Sequence, residues 1–71
     1  MNTIEIAKQP VELYKILKFE ALVPSGGEAK LVIGQGLVKV NGEVETRKRK
    51  KIISGDRIEF AGDSFLIELT N

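Results

Sequence analysis

The sequence predicts an α+β domain in which two short helices pack against a small, largely antiparallel sheet of about four to five strands. Apolar residues follow helical spacing in the first half of the chain and alternate with a period of two in the second half. Asn-Gly and Ala-Gly pairs separate the alternating segments, which is typical of hairpins. The chain has 71 residues and no low-complexity tract, so we expect a single domain over residues 1–71.

A strand and a helix are expected first. Residues 3–6 (Thr-Ile-Glu-Ile) alternate polar and apolar side chains, which predicts a short strand at an edge of the sheet. Pro10 suits the first turn of a helix, where its missing N–H has no cost. The apolar residues that follow have the spacing of one helix face: Leu13, Ile16 and Leu17. We predict a first helix over residues 11–20, ended before Pro24 because the residue preceding a proline disfavours the α conformation.

A second helix is expected to start at Ser25, which forms a capping-box pattern with Glu28. It would be about nine residues long and end at Gly34 or Gly36, because glycine adopts the left-handed conformation that closes many helices. The apolar side chains on its predicted buried face are Ala29, Val32 and Ile33.

Two hairpins complete the predicted fold. Residues 37–40 and 43–46 flank Asn41-Gly42, the pair that best adopts the positive φ angles of a type I′ turn. After Ile52-Ile53, a turn at residues 54–56 leads to a second hairpin, in which residues 57–60 pair with residues 63–69 through Ala61-Gly62.

The composition argues against catalysis. The chain contains no Cys and no His, which excludes disulfides, zinc sites built from these residues, thiol nucleophiles and Ser-His-Asp triads. A domain of this size buries only roughly 60% of its unfolded surface and desolvates reactive groups poorly. We therefore expect a binding module, not an enzyme, with no cofactor and no metal. No apolar stretch is long enough to span a bilayer and the N-terminus lacks a signal-peptide core, so we expect a cytoplasmic protein without membrane contact.

Positive charge is concentrated in one segment. The formal net charge is +1, yet residues 47–51 carry five cations, whereas residues 1–46 and 52–71 are both slightly acidic. We call residues 47–51 the basic segment: Arg47, Lys48, Arg49, Lys50 and Lys51. Adjacent cations repel one another, which favours an anionic partner, and a phosphate backbone running around the segment could contact most of them even if the segment is extended. A solvated loop or a nuclear localisation signal would show the same pattern.

Other side chains support or limit this interpretation. Lys30 lies one turn into the second helix, and Lys39 lies between two apolar strand residues and must face solvent. The chain has few aromatic residues, so we expect at most one for base stacking and little reading of base sequence. Glu43 and Glu45 fall on one strand face, where we interpret them as counter-charges to the basic segment and not as a catalytic or metal-binding pair.

Several motifs occur together: Leu13-x-x-x-Leu17-Lys18, Ser25-Gly26-Gly27-Glu28-Ala29-Lys30, residues 33–43 (Ile-Gly-Gln-Gly-Leu-Val-Lys-Val-Asn-Gly-Glu), Glu45-Thr46-Arg47 and Gly55-Asp56-Arg57-Ile58. With them, residues 13–60 resemble the RNA-binding domain named after small-subunit ribosomal protein S4, whose two helices and following hairpin form the αL motif. The small stand-alone bacterial version of this domain, the YbcJ type, is the most similar in pattern. Many members have Ser-Arg where this chain has Ser25-Gly26, so one phosphate contact of the family is missing.

The resemblance implies binding of RNA in the cytoplasm, commonly ribosomal or other structured non-coding RNA, by a face built from the second helix and the adjoining hairpin. We expect the contacts to go mainly to the phosphate backbone and the protein to act as a monomer. The residues predicted to contact RNA are Lys30, Lys39, Asn41, Arg47, Lys48, Arg49, Lys50 and Lys51.

A different class of function remains open. The domain could be a protein-interaction module that docks on a ribosome-associated or RNA-modifying partner. Such a module needs an exposed apolar patch, for which the candidates are Leu22, Val23 and residues 65–67. A sulfur or ubiquitin-like carrier fits the size, but the chain ends Leu69-Thr70-Asn71 without the terminal Gly-Gly that such carriers use.

Overall fold

The computed structural model describes residues 2–70. Five strands form one sheet in the order β1-β7-β6-β3-β4, and two short strands, β2 and β5, form a separate ribbon. Strand β1 is parallel to β7, and the other pairs are antiparallel. This α+β arrangement confirms the predicted fold class. The elements in chain order are β1 (Asn2–Ile6), β2 (Val11–Glu12), α1 (Leu13–Phe19), α2 (Gly26–Gly34), β3 (Val38–Val40), β4 (Glu43–Val44), β5 (Lys51–Ile52), β6 (Arg57–Phe60) and β7 (Asp63–Leu69).

Both predicted hairpins are present. Asn41 and Gly42 have φ angles of 53° and 86° in the turn between β3 and β4, as a type I′ turn requires. Ala61 and Gly62 have φ angles of 54° and 82° between β6 and β7. The first strand lies at the edge of the five-stranded sheet, as its short alternating pattern predicts.

One apolar core joins the sheet to both helices. Val38 and Val40 are buried on β3 while Lys39 between them is exposed, so the strand has one inward and one outward face. The inward face packs against the buried residues of the two helices, including Leu17 and Ile33. The buried members of this cluster are Ile4, Ile6, Leu13, Ile16, Leu17, Val23, Ala29, Ile33, Val38, Val40, Ile52, Ile58, Phe65 and Ile67.

Helix α2 matches its prediction. Ser25 is the N-cap, and its Oγ accepts a hydrogen bond from the Glu28 N–H at 3.2 Å. The helix ends at Gly34, and Gly36 follows with a φ of 77°. The N–H groups of Gly36 and Leu37 donate to carbonyls of the last helical turn, which forms a Schellman motif.

Helix α1 is shorter than predicted. Val11 and Glu12 form strand β2, which pairs with β5, so Pro10 precedes a strand and is not in a helical turn. The helix ends at Phe19 in a second Schellman motif, with Ala21 in the left-handed conformation at a φ of 56°. Pro24 therefore does not end the helix. Alanine is unusual at a position with positive φ, and no sequence pattern predicts this conformation at Ala21.

Asn41 ties the first hairpin to the turn before β6. Its Nδ2 donates to Asp56 Oδ1 at 3.0 Å, and its Oδ1 accepts from the Arg57 N–H at 2.9 Å. Asp56 in turn accepts from the Ile53 N–H through Oδ2 at 3.0 Å, so this carboxylate satisfies a backbone group of the turn. The Asn41–Asp56 pair thus holds the ends of β3 and β6 in register.

Replacing Asn41 separates the contribution of its side-chain hydrogen bonds from that of its backbone conformation at positive φ. Asn41→Ala removes both side-chain hydrogen bonds and places a Cβ at positive φ without an amide, so we expect a loss of about 2 kcal/mol in unfolding free energy. Asn41→Gly removes the same hydrogen bonds but fits the backbone angle, so its loss should be smaller. Urea unfolding of wild type, Asn41→Ala and Asn41→Gly measures both losses in unfolding free energy. An Asn41→Ala protein as stable as wild type would contradict this account.

Candidate nucleic-acid interface

The basic segment is a turn and not an extended strand. Lys48 and Arg49 occupy the turn, and the Lys50 N–H donates to the Arg47 carbonyl at 3.2 Å. Only Lys51 belongs to a strand, β5. The extended arrangement considered from the sequence, with side chains on alternating sides, is therefore not the one observed.

The backbone of this turn is attached to the start of α1. The Leu13 N–H donates to the Lys50 carbonyl at 2.9 Å, and the Tyr14 N–H donates to the Lys48 carbonyl at 3.1 Å. Amides in the first turn of a helix lack partners within the helix, and the N-cap residue Glu12 supplies no side-chain cap. The basic segment thus replaces a conventional cap, and its position relative to α1 is determined by backbone hydrogen bonds.

Two lysines meet on one side of α2. A Cβ placed on Gly34 would lie 3.5 Å from Lys48 Cε and 3.9 Å from Lys48 Nζ, so this lysine crosses the last turn of the helix. An ammonium group is favoured there by the helix dipole. Lys30 lies one turn earlier on the same helix, with Nζ 4.7 Å from the centre of the Tyr14 ring. The ring therefore fixes Lys30 beside α1 through a cation–π contact.

Lys39 approaches the same end of α2 from the sheet. It is exposed on β3 directly opposite Val44 on β4, and directly opposed residues share a face. A Cβ on Gly36 would lie 3.5 Å from Val44 Cγ1, which places this face of the hairpin against the chain just after α2. We call Lys30, Lys48 and Lys39 the lysine track, because all three adjoin the second half of α2 or its end.

Arg47 is neutralised by Glu45. Its Nε and Nη2 donate to the two carboxylate oxygens at 2.9 and 3.0 Å, and its backbone N–H adds a third bond at 2.9 Å. The guanidinium hydrogen bonds, followed by that of the backbone amide, lower the pKa of Glu45 to about 2. The same carboxylate raises the pKa of Arg47. Glu45 is thus the counter-charge that the sequence predicts, whereas no ion pair within residues 2–70 involves Glu43.

Glu12 lies beside another part of the basic segment. Its carboxylate lies 3.1 Å from Lys15 Nζ, and Glu12 is directly opposite Lys51 in the β2–β5 ribbon. The hydrogen bond from Lys15 lowers the pKa of Glu12, and the charges of Lys15, Arg49 and Lys51 lower it further. The cations of the basic segment therefore have different surroundings: Lys48 lies against α2, Arg47 is paired with Glu45, and Lys51 lies opposite Glu12.

Some residues at this surface escape sequence analysis. Gly34 lies against Lys48, and Glu12 lies opposite Lys51. Gly34 and Glu12 are distant in sequence from the basic segment, and no local sequence pattern predicts their contacts with it. Asn41 is exposed, but its side-chain oxygen and one amide hydrogen are engaged in the fold. Its contact with RNA stays a prediction.

Within residues 2–70, no group of three or more acidic side chains is placed to hold a metal ion. No helix in that range has the length and apolarity needed to cross a bilayer.

The Glu45–Arg47 pair predicts a pH effect on stability. Because the pKa of Glu45 falls to about 2 in the folded protein and is higher in the unfolded chain, the pair stabilises the fold above about pH 5 and this contribution is lost as pH falls toward 2. In urea unfolding at pH 7, the unfolding free energy of wild type should exceed that of Glu45→Gln. This difference in unfolding free energy should shrink by pH 2–3. A difference independent of pH would contradict this assignment.

Known proteins are similar in sequence to this chain. Residues 4–68 match the S4 domain family. The chain is 51% identical over 65 residues to the putative RNA-binding protein YbcJ of Escherichia coli K12, covering 90% of this chain and 93% of that protein. It is 34% identical over 61 residues to the probable ribosome maturation protein RlbA of Bacillus subtilis, covering 86% of each.

Solved structures show the same fold. The solution structure of E. coli YbcJ, described as revealing an αL motif involved in RNA binding, superposes with a TM-score of 0.72 at 48% identity, covering 96% of this chain and 87% of that one. Ribosomal protein S4e of Thermoplasma acidophilum gives a TM-score of 0.61 at 30% identity, over 80% of this chain and 30% of that protein. With a family match across nearly all described residues and a relative more than half identical, this chain belongs to the S4 domain family.

Proposed function

We propose that this protein binds structured RNA and contacts its phosphate backbone through the lysine track. The observation that carries the proposal is the position of three lysines from separate elements: Lys30 lies on α2, Lys48 lies against its last turn, and Lys39 lies on the hairpin face that meets the chain just after it. The names of relatives that share this fold, a putative RNA-binding protein and a probable ribosome maturation protein, support the same conclusion.

The chemistry of the track suits phosphate. Among residues 2–70, no carboxylate lies within ion-pair distance of Lys30, Lys39 or Lys48, so their charges are available to a ligand. Ammonium groups on flexible stems bind phosphate as point charges and carry no base specificity. We therefore expect recognition by RNA shape, with affinity that falls steeply as salt rises.

The remaining predicted residues have graded roles in this proposal. Arg47 contributes little because Glu45 already satisfies it. Lys50, Arg49 and Lys51 extend the positive surface beyond the track, and Asn41 offers the amide hydrogen that no hydrogen bond within residues 2–70 uses. Ribosomal RNA is the proposed target class, in line with the relative named for ribosome maturation. We further propose that the protein is cytoplasmic and acts as a monomer.

The rival function, a protein-interaction module, lacks the surface predicted for it. Val23, Phe65 and Ile67 are buried in the core, and Leu22 packs against it. These side chains are needed to fill the space between the sheet and the helices, so they cannot form an exposed patch. The structure thus corrects the location predicted for such a patch: the exposed large apolar side chains within residues 2–70 lie elsewhere, at Phe19, Leu31, Leu37, Val44 and Ile53.

Removing two lysines of the track should weaken RNA binding. Each phosphate contact contributes about 0.7 to 0.9 to the slope of log K against log salt. We therefore expect Lys30→Ala/Lys48→Ala to lower affinity for a ribosomal RNA stem-loop at low salt and to flatten the slope by about 1.4 to 1.8. Filter binding or fluorescence anisotropy at several salt concentrations measures both quantities.

The matched control is Lys18→Ala/Arg57→Ala, which removes the same charge from outside the track and the basic segment. Lys18 is exposed on α1, and Arg57 is exposed on β6. This control should keep most of the affinity and nearly the wild-type slope. Equal losses in both double variants would mean that net charge, and not the track, governs binding, and would overturn the proposed site.

A further inference from the structure

A groove runs between the edge of the sheet and α1. Its volume is about 740 Å³, within the range of about 300–1,000 Å³ that is typical of small-ligand sites. Strand β1 and the segment that follows it form one wall, and α1 forms the other. Val11, Ile16 and Phe19 supply apolar surface inside it.

Phe19 is the unusual member of this groove. Its side chain is 67% exposed, although an aromatic ring at the end of a helix could have packed into the core. Phe65 is buried, Phe60 packs against the core, and Tyr14 is half-buried beneath Lys30. Phe19 is therefore the most exposed aromatic side chain among residues 2–70, with Lys18 Nζ 5.7 Å from the centre of its ring on one side.

The charges around the groove are of two kinds. Lys8 and Lys51 line it, as does the Lys15–Glu12 ion pair. Because Lys51 belongs to the basic segment, the groove adjoins one side of that segment. Glu5 and Glu20 also line it, and neither has an ion-pair partner within residues 2–70. Carboxylates repel phosphate but accept hydrogen bonds from the exocyclic amines of bases.

We infer that this groove binds a single unpaired nucleobase of the RNA held by the basic segment and the lysine track. This inference rests on the proposed RNA-binding function. The phosphates flanking the base lie on Lys8 and Lys51, the base stacks on Phe19, and the Glu20 carboxylate accepts from an exocyclic amine. The protein thus recognises a helix that carries a bulged or unpaired nucleotide, with adenine favoured over uracil, which lacks this amine.

The test uses RNA stem-loops that differ only at one bulge: adenosine, uridine, an abasic residue or no bulge. Stacking of a base on an aromatic side chain predicts roughly tenfold tighter binding of wild type to the adenosine bulge than to the abasic one. Phe19→Ala should lose this preference but keep the salt dependence. Ile53→Ala is the matched control, because Ile53 is also exposed but does not line the groove, and it should keep the preference.

Each contrary result has a distinct meaning. Equal, salt-dependent binding of the adenosine and abasic stem-loops by wild type would overturn the groove assignment and leave the proposed function intact. A preference that survives in Phe19→Ala, or equal binding of adenosine and uridine bulges, would also contradict it. Failure of wild type to bind any of the stem-loops at low salt would instead reject the proposed function itself. A polypeptide ligand that is lost in Phe19→Ala, without any base preference, would assign the groove to protein and overturn the inference.

Discussion

The arrangement of charge in this protein depends on how the first turn of α1 is satisfied. That helix has no capping side chain, and its exposed amides would otherwise lose hydrogen bonds on folding. The carbonyls of Lys48 and Lys50 accept from Tyr14 and Leu13, and the pairing of β2 with β5 adds two further residues on each side. Uncharged backbone groups thereby hold the basic segment, which carries five cations, against α1.

Mutual repulsion among these cations is reduced by two carboxylates that approach from different elements. Glu45 precedes the segment and pairs with Arg47, whereas Glu12 lies across the ribbon from Lys51 and near Arg49. The turn sends Lys48 in a third direction, toward Gly34. A segment that reads as one uniform block in sequence thus becomes three separate charge environments, and its effective charge toward a ligand is smaller and more local than its composition indicates.

Sequence analysis predicted those features whose causes are local. Asn41-Gly42 specifies its turn because few other pairs adopt these φ angles, and Ser25 specifies the start of α2 because its hydroxyl caps a nearby amide. The start of α1 was wrong because Val11 and Glu12 pair with residues some 40 positions later. The contacts of Lys48 with Gly34 and of Glu12 with the basic segment arise only from tertiary packing, so the candidate surface was predicted as a set of residues but not as a geometry.

Backbone groups position the basic segment and side chains carry its charge, so the charge of such a domain can vary without a change of fold. Carbonyls hold the basic segment on α1, so the fold does not require any particular side chain at Lys48 or Lys50. The hairpin beside it is held instead by the Asn41–Asp56 side-chain pair. Charge in the turn can therefore change, and with it the affinity for a polyanion, while the elements that position it stay in place. A domain of this size has little stability in reserve, and separating the two tasks lets its ligand surface be altered without loss of the fold.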